Sequence, residues 1–182
     1  RHANDYAMVA YPLDKTLSDY GQVNRGICQY SSNNFLLSIT ECHDIHRRGQ
    51  KILGKLATSK TARMLTSISP TQLISMNCWL FTPDMFAAAE HYIQHTLTKS
   101  EGALTIECLL PEVVMGEISK QDKVVRVLSS EDHWFGITFQ QDLASVEEEI
   151  SKLLQKKTFA SLCDAAPRLR HSFEIKAKAC FR

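Results

Sequence analysis

Two short stretches hold the side chains best suited to chemistry. Glu41-Cys42-His43-Asp44-Ile45-His46 packs five groups that can ligate a metal or carry a proton into six positions. Thiolate and imidazole suit zinc. The His-x-x-His spacing with an adjoining Cys matches no standard closed site, however, and no second cluster offers the remaining ligands, so the pattern argues against a metal centre. His91 and His95 stand one helical turn apart, as in H-E-x-x-H, but Tyr92 occupies the place of the catalytic Glu and the motif is broken. They read as exposed helix histidines. Ser, His and Asp all occur without a G-x-S-x-G elbow. The chain has neither G-x-x-x-x-G-K-[ST] nor G-x-G-x-x-G, so it carries no self-contained phosphate loop.

The elements that must position such groups follow from hydrophobic pattern and turn chemistry. Tyr6–Tyr11 reads as a buried strand stopped by Pro12, and Leu13 to Gly21 is polar and turn-like. Val23–Tyr30 and Phe35–Glu41 flank Ser31-Ser32-Asn33-Asn34 and predict a hairpin. Residues 51–69 read as a solvent-facing excursion of short strands, and Leu73–Phe81 as a central strand. Thr82-Pro83-Asp84 is a helix start: Thr82 can cap, Pro83 has no N–H to lose there, and Asp84 meets the positive helix end. Phe86, Ala89, Ile93 and Leu97 then recur at helical spacing. A second helix is expected near Pro111–Ser119 with Val114 and Ile118 inward, followed by strands at Lys123–Leu128 and Trp134–Phe139. A last amphipathic helix follows Asp142, with Ser145-x-x-Glu148 resembling a capping box and Val146, Ile150, Leu153 and Leu154 on one face. Mixed strands and helices of this kind predict an α/β or α+β sheet with helices packed on it.

Composition bounds the rest. A chain of 182 residues, 44% hydrophobic and 23% charged, is long enough for one cored domain plus a tail. It is not of disordered, collagenous or coiled-coil type. No apolar run reaches the roughly 18–20 residues of a membrane span. With 21 Lys and Arg against 20 Asp and Glu, the balance offers no support for a nucleic-acid partner held through phosphates. The six cysteines form no C-x-x-C pair, and several, such as Cys78, lie in apolar runs. They read as reduced, buried thiols of a cytoplasmic protein. From Lys156 onward seven Lys and Arg face only Asp164 and Glu174, so residues 1–156 read as an acidic body and 157–182 as a basic, solvated tail. The chain opens at Arg1 without Met or a signal-peptide pattern, as expected of a processed chain or a piece of a longer one.

Four segments together carry a resemblance: Thr16–Cys28 (TLSDYGQVNRGIC), Ser75–Phe86 (SMNCWLFTPDMF), Leu110–Val114 (LPEVV) and Trp134–Asp142 (WFGITFQQD). Their order and spacing, over roughly Tyr6 to Leu162, resemble the C-terminal half of bacterial sugar-phosphate nucleotidyltransferases, which couple an NTP to a sugar 1-phosphate and release pyrophosphate. The resemblance implies a Rossmann-like nucleotide-diphospho-sugar transferase fold. It further implies that the Gly-rich triphosphate loop and a magnesium-binding Asp belong to an N-terminal half this chain lacks, so that the chain alone is inactive. A detached half would be the sugar-phosphate-binding side of an enzyme. Alternatively it would be a non-catalytic module that dimerises or pairs with a separately encoded N-terminal half through its bared sheet edge.

The resemblance also assigns residues. Gly26 is similar to the pocket glycine whose backbone touches a sugar hydroxyl, and Glu41 to the carboxylate that accepts from sugar hydroxyls. Asn24 and Arg25 would point into the same pocket, Arg25 toward a phosphate whose oxygens its fork matches. Asn77 and Trp79 would form the next wall, and Trp134 resembles the aromatic of a W-x-D-x-G motif. The sequence departs from the family twice. Cys42 stands where a phosphate-contacting Lys usually follows the Glu, and Gly136 replaces the Asp that binds the second magnesium ion, leaving Asp142 or Asp132 as substitute ligands for Mg²⁺.

Overall fold

A computed structural model describes residues 5–56, 63–99, 107–120, 123–132, 134–137 and 139–155. The basic stretch 157–182 and part of the 51–69 excursion lie outside the described residues. Two compact units divide at Trp134, one comprising Arg1–Trp134 and the other Phe135–Arg182.

The first unit is a mixed α/β structure. Seven strands, β1 (Asp5–Pro12), β2 (Val23–Tyr30), β3 (Leu36–Arg48), β4 (Lys51–Leu56), β5 (Arg63–Ile68), β6 (Leu73–Leu80) and β7 (Val124–Ser129), form one sheet in the order β5-β4-β3-β2-β6-β1-β7. β1 pairs with β7 in parallel, and the other neighbours are antiparallel. The expected hairpin is β2–β3, and Leu73–Leu80 is central, as its apolar run requires. The 51–69 excursion supplies β4 and β5. The hairpin tip curls back onto the far edge of the sheet: Phe35 bridges Arg126, and Val127 N–H donates to Asn34 O at 2.8 Å.

Alternation along the strands divides the core between two faces. On one face, helices α1 (Met85–Lys99) and α2 (Leu110–Ser119) contribute Met85, Val113 and Val114 to a cluster with Tyr6, Met8, Cys28 and Leu36. On the other, Val23, Cys42, Ile45 and Ile74 pack with Leu13 from a short 3₁₀ turn, Leu13–Thr16. The inner stripe of α1 is Met85, Ala88, Ala89 and Tyr92, not Phe86, Ile93 and Leu97, which are exposed. Alanines at the contact let the helix approach closely, and the bulkier residues turn outward. Cys78 is also exposed, contrary to its apolar surroundings in sequence, because it follows an irregularity in β6.

Of the strand expected at Trp134–Phe139, the described residues 134–137 and 139 form none. Helix α3 (Asp142–Gln155) starts at Asp142, whose carboxylate accepts from Phe139 N–H at 2.7 Å. Ser145 lies inside the first turn and donates to Asp142 O, so it is not the cap. Among the described residues no helix is long and apolar enough to cross a membrane.

Candidate functional site

The antiparallel register sets Gly26 of β2 directly opposite Glu41 of β3 on one side and Ser75 of β6 on the other. Cross-strand partners share a face, so these three residues stand level on the helix-covered side of the sheet. They floor a cleft of about 370 Å³. Asn24, His43 and Asn77 flank it, and Glu107, Leu109 and Pro111 at the start of α2 close it. Gly26 is here because the floor has no room for a side chain: a Cβ would sit 2.8 Å from Ile39 Cγ2, 3.5 Å from Ser75 Cβ and 3.8 Å from Glu41 Oε2. It lies in mid-strand, not in a turn, and bares backbone to the cleft.

Two bulges aim the flanking groups. The β2–β3 register shifts between Val23 and Arg25, and Asp44 takes a left-handed φ of 56°. Asn24 Oδ1 accepts the Asp44 N–H at 3.1 Å and Lys55 pairs with the Asp44 carboxylate at 2.8 Å, fixing that bulge. In β6 the pairing jumps from Val9↔Cys78 to Ala10↔Ser75, leaving Met76 and Asn77 as extra residues. Asn77 has φ 55°, a conformation that Asn tolerates better than most residues. Its N–H donates to Ser75 Oγ at 3.3 Å, and its Oδ1 accepts from Trp79 Nε1 at 3.4 Å. Bulges of this type re-aim side chains beside binding sites.

Trp79 is therefore a positioning residue, outside the cleft lining. Its ring stacks on Phe81 at 5.6 Å, and Phe81 meets Tyr6 edge-on at 5.0 Å. Glu41 is half-buried. Burial raises its pKa above the usual carboxylate value, against the opposing pull of His43 and Arg25.

Arg25 and Trp134 come together. The Arg25 guanidinium donates to Thr16 O at 2.5 Å and lies 5.3 Å from the centre of the Trp134 ring. Arg25 lines the cleft, as expected, while its guanidinium is engaged by Thr16 O and Trp134 and still acts on the charge of Glu41.

No group of three His, Cys, Asp or Glu suited to a metal ion exists among the described residues. In the 41–46 stretch, Cys42 is core, Asp44 holds Lys55, and His46 Nδ1 donates to Asp44 O at 2.8 Å. His91 and His95 are exposed on α1, as expected. Asp132 accepts from Ser130 Oγ at 3.0 Å, and Asp142 belongs to the second unit, where it holds the start of α3. Ser75 and Glu107 are cleft residues the sequence did not flag, and His43 was noted only as part of the 41–46 stretch; strand register, which no local pattern encodes, brings Ser75 beside Gly26.

No protein-family model matches this chain, and no curated protein matches it.

Proposed function

We propose that this chain is the sugar-binding half of a nucleotidyltransferase-like protein of the nucleotide-diphospho-sugar transferase type, with a Rossmann-like ancestry and a cytoplasmic home. The observation that carries the reading is the register pair Gly26–Glu41. It gives bare backbone and a carboxylate, level with each other, at the floor of a cleft. A carboxylate accepts from hydroxyls, and the Asn24 and Asn77 amides, whose oxygens are engaged within the protein, offer N–H donors. Such a mixture suits vicinal hydroxyls. In the complete enzyme a sugar 1-phosphate oxygen would attack the α-phosphorus of an NTP. In this reading the groups that grip the triphosphate and Mg²⁺ belong to the other half of the complete enzyme, and the chain alone is expected to be inactive.

Thermal shift with a hexose panel tests this reading, because a ligand that binds only the folded state raises stability. Stabilisation by a hexose, lost in Glu41→Ala, supports the reading; turnover of any NTP and sugar phosphate by the chain alone contradicts its inactivity. The second reading, a non-catalytic oligomerisation module, draws on the exposed Phe86, Ile93 and Leu97 along α1. A monomer in sizing experiments removes it.

A further inference from the structure

We infer that His91 and His95 form a two-imidazole site for a divalent transition-metal ion of the zinc, nickel and copper class, set in the hollow between α1 and α2. The site lies apart from the cleft and does not rest on what the cleft binds.

The pair is the ligating half of the H-E-x-x-H pattern. Tyr92 takes the place of the acid–base Glu and leaves both ligands in position. Four residues apart on α1, the two side chains emerge on one flank of the helix. Their rings stand 6.4 Å apart, centre to centre, and 24° from parallel. Both residues are exposed, so rotation about their side-chain torsions can bring one nitrogen of each to about 2.1 Å from a shared ion. Imidazole suits zinc, nickel and copper, whereas magnesium and calcium take oxygen ligands.

The hollow is a second, independent observation. It measures about 160 Å³ and is framed by His91, Tyr92 and His95 on α1 and by Gly116, Glu117 and Lys120 on α2. Gly116 lies inside α2, where glycine weakens a helix relative to alanine. Close packing does not demand it, because a Cβ there would meet no neighbouring atom within 4 Å. The missing side chain instead keeps the space beside the two imidazoles open. Glu117, whose side chain is 13% exposed, holds the Lys120 ammonium at 2.7 Å, so a carboxylate offsets the positive charge that would otherwise repel an ion. Among the described residues no third His, Cys, Asp or Glu joins the pair, which leaves the other coordination positions to water.

Calorimetry on the intact chain with Ni²⁺, and with Mg²⁺ as the control, tests the site. Two linked ligands outbind one by on the order of a hundredfold, so the wild type should bind Ni²⁺ more tightly than His91→Gln or His95→Gln by about that factor. Ni²⁺ should raise the unfolding midpoint of the wild type and not that of either variant. Without metal the three midpoints should coincide, because both histidines are exposed. Mg²⁺ should give no response that depends on either histidine. Gly116→Leu fills the hollow and should weaken Ni²⁺ binding while both imidazoles remain. Absence of Ni²⁺ binding by the wild type, or an affinity in either histidine variant equal to that of the wild type, overturns the inference. Full Ni²⁺ affinity in Gly116→Leu moves the ion to the open surface of α1 and overturns its place in the hollow.

Discussion

The indole N–H of Trp79 meets the side-chain oxygen of Asn77 across the irregularity in β6, while the Trp79 ring stacks on Phe81. One residue thus links the aromatic core to a group on the cleft wall. Asn77 is also left-handed, at φ 55°. A left-handed conformation costs an ordinary L-residue roughly 1–2 kcal/mol. Asn77→Ala is therefore expected to lower unfolding stability by about 1 kcal/mol, and Asn77→Gly by less, because glycine adopts that φ without a Cβ clash. Urea denaturation of the two variants checks the order. Trp79→Phe keeps an aromatic ring to face Phe81 yet should weaken ligand binding, since the N–H that orients Asn77 is lost.

Gly26 makes a different prediction. Its missing Cβ would lie within 2.8 Å of Ile39 Cγ2. Gly26→Ala forces Ile39 to move and should cost about 1–3 kcal/mol, as overpacking typically does. Adding Ile39→Ala removes the clashing methyl, so the double variant should lie above the sum of the two single losses in a double-mutant cycle. Strict additivity would show that Ile39 is not what excludes a side chain at 26.

Much of this arrangement was legible locally. The Ser31–Asn34 turn between two apolar runs marked the β2–β3 hairpin, and Thr82-Pro83-Asp84 marked the start of α1, although Thr82 Oγ1 turns to Asp84. Gly26 and Glu41 were expected to meet, and they do. What sequence spacing could not supply was the side on which each residue falls. Arg25 lines the cleft, yet its guanidinium is taken up by Thr16 O and the Trp134 ring, partners far from it in sequence. Ser75 reaches the site through pairing of strands 49 positions apart, a non-local relation that leaves no trace in either segment. Likewise, the outward turn of Phe86 depends on which stripe of α1 the sheet accepts, not on hydrophobicity alone.

Asp84 gives the acid limb of stability. Lys123, then Thr82, hold its carboxyl far below the usual carboxylate range, and Tyr6 OH also donates to it at 3.0 Å. The Tyr6 hydroxyl is itself pushed up to about 12, chiefly by burial. A depressed folded-state pKa means that the unfolded chain binds the proton first, so stability from this group is present above about pH 4 and lost as pH falls below it. The urea midpoint of wild type should therefore exceed that of Asp84→Asn at pH 7. The difference should shrink steadily below about pH 4. An equal gap at both ends would place the effect in packing.

The thiols should divide by burial. Cys28 and Cys42 are buried, and burial pushes their pKa values up to about 12 and about 11. Thiolate is the reactive form, so both should resist an aromatic disulfide reagent at about pH 8 until denaturant is added. Cys78 and Cys108 are exposed and should react in the native chain. Peptide mapping after brief labelling distinguishes them; early modification of Cys42 would mean that the cluster around Ile45 and Ile52 opens locally.

Arg25 separates a structural clamp from a ligand contact. Its fork donates to the carbonyls of Thr16 and Asn24, and its plane lies over Trp134, which is itself tied to the 3₁₀ turn through its N–H to Lys15 O at 3.2 Å. Desolvation lowers its pKa, with Glu41 opposing the shift. Arg25→Ala leaves the Thr16 carbonyl without that donor and removes the cation–π contact, an expected loss of about 1–3 kcal/mol. Arg25→Lys should recover little, because a single ammonium cannot bridge two carbonyls and cover a ring at once. Were Arg25 a phosphate ligand instead, the same substitutions would leave the urea midpoint nearly unchanged and abolish any preference for a sugar phosphate over its parent sugar. The clamp predicts the reverse pairing: a stability loss with the relative affinities of the ligand forms unchanged.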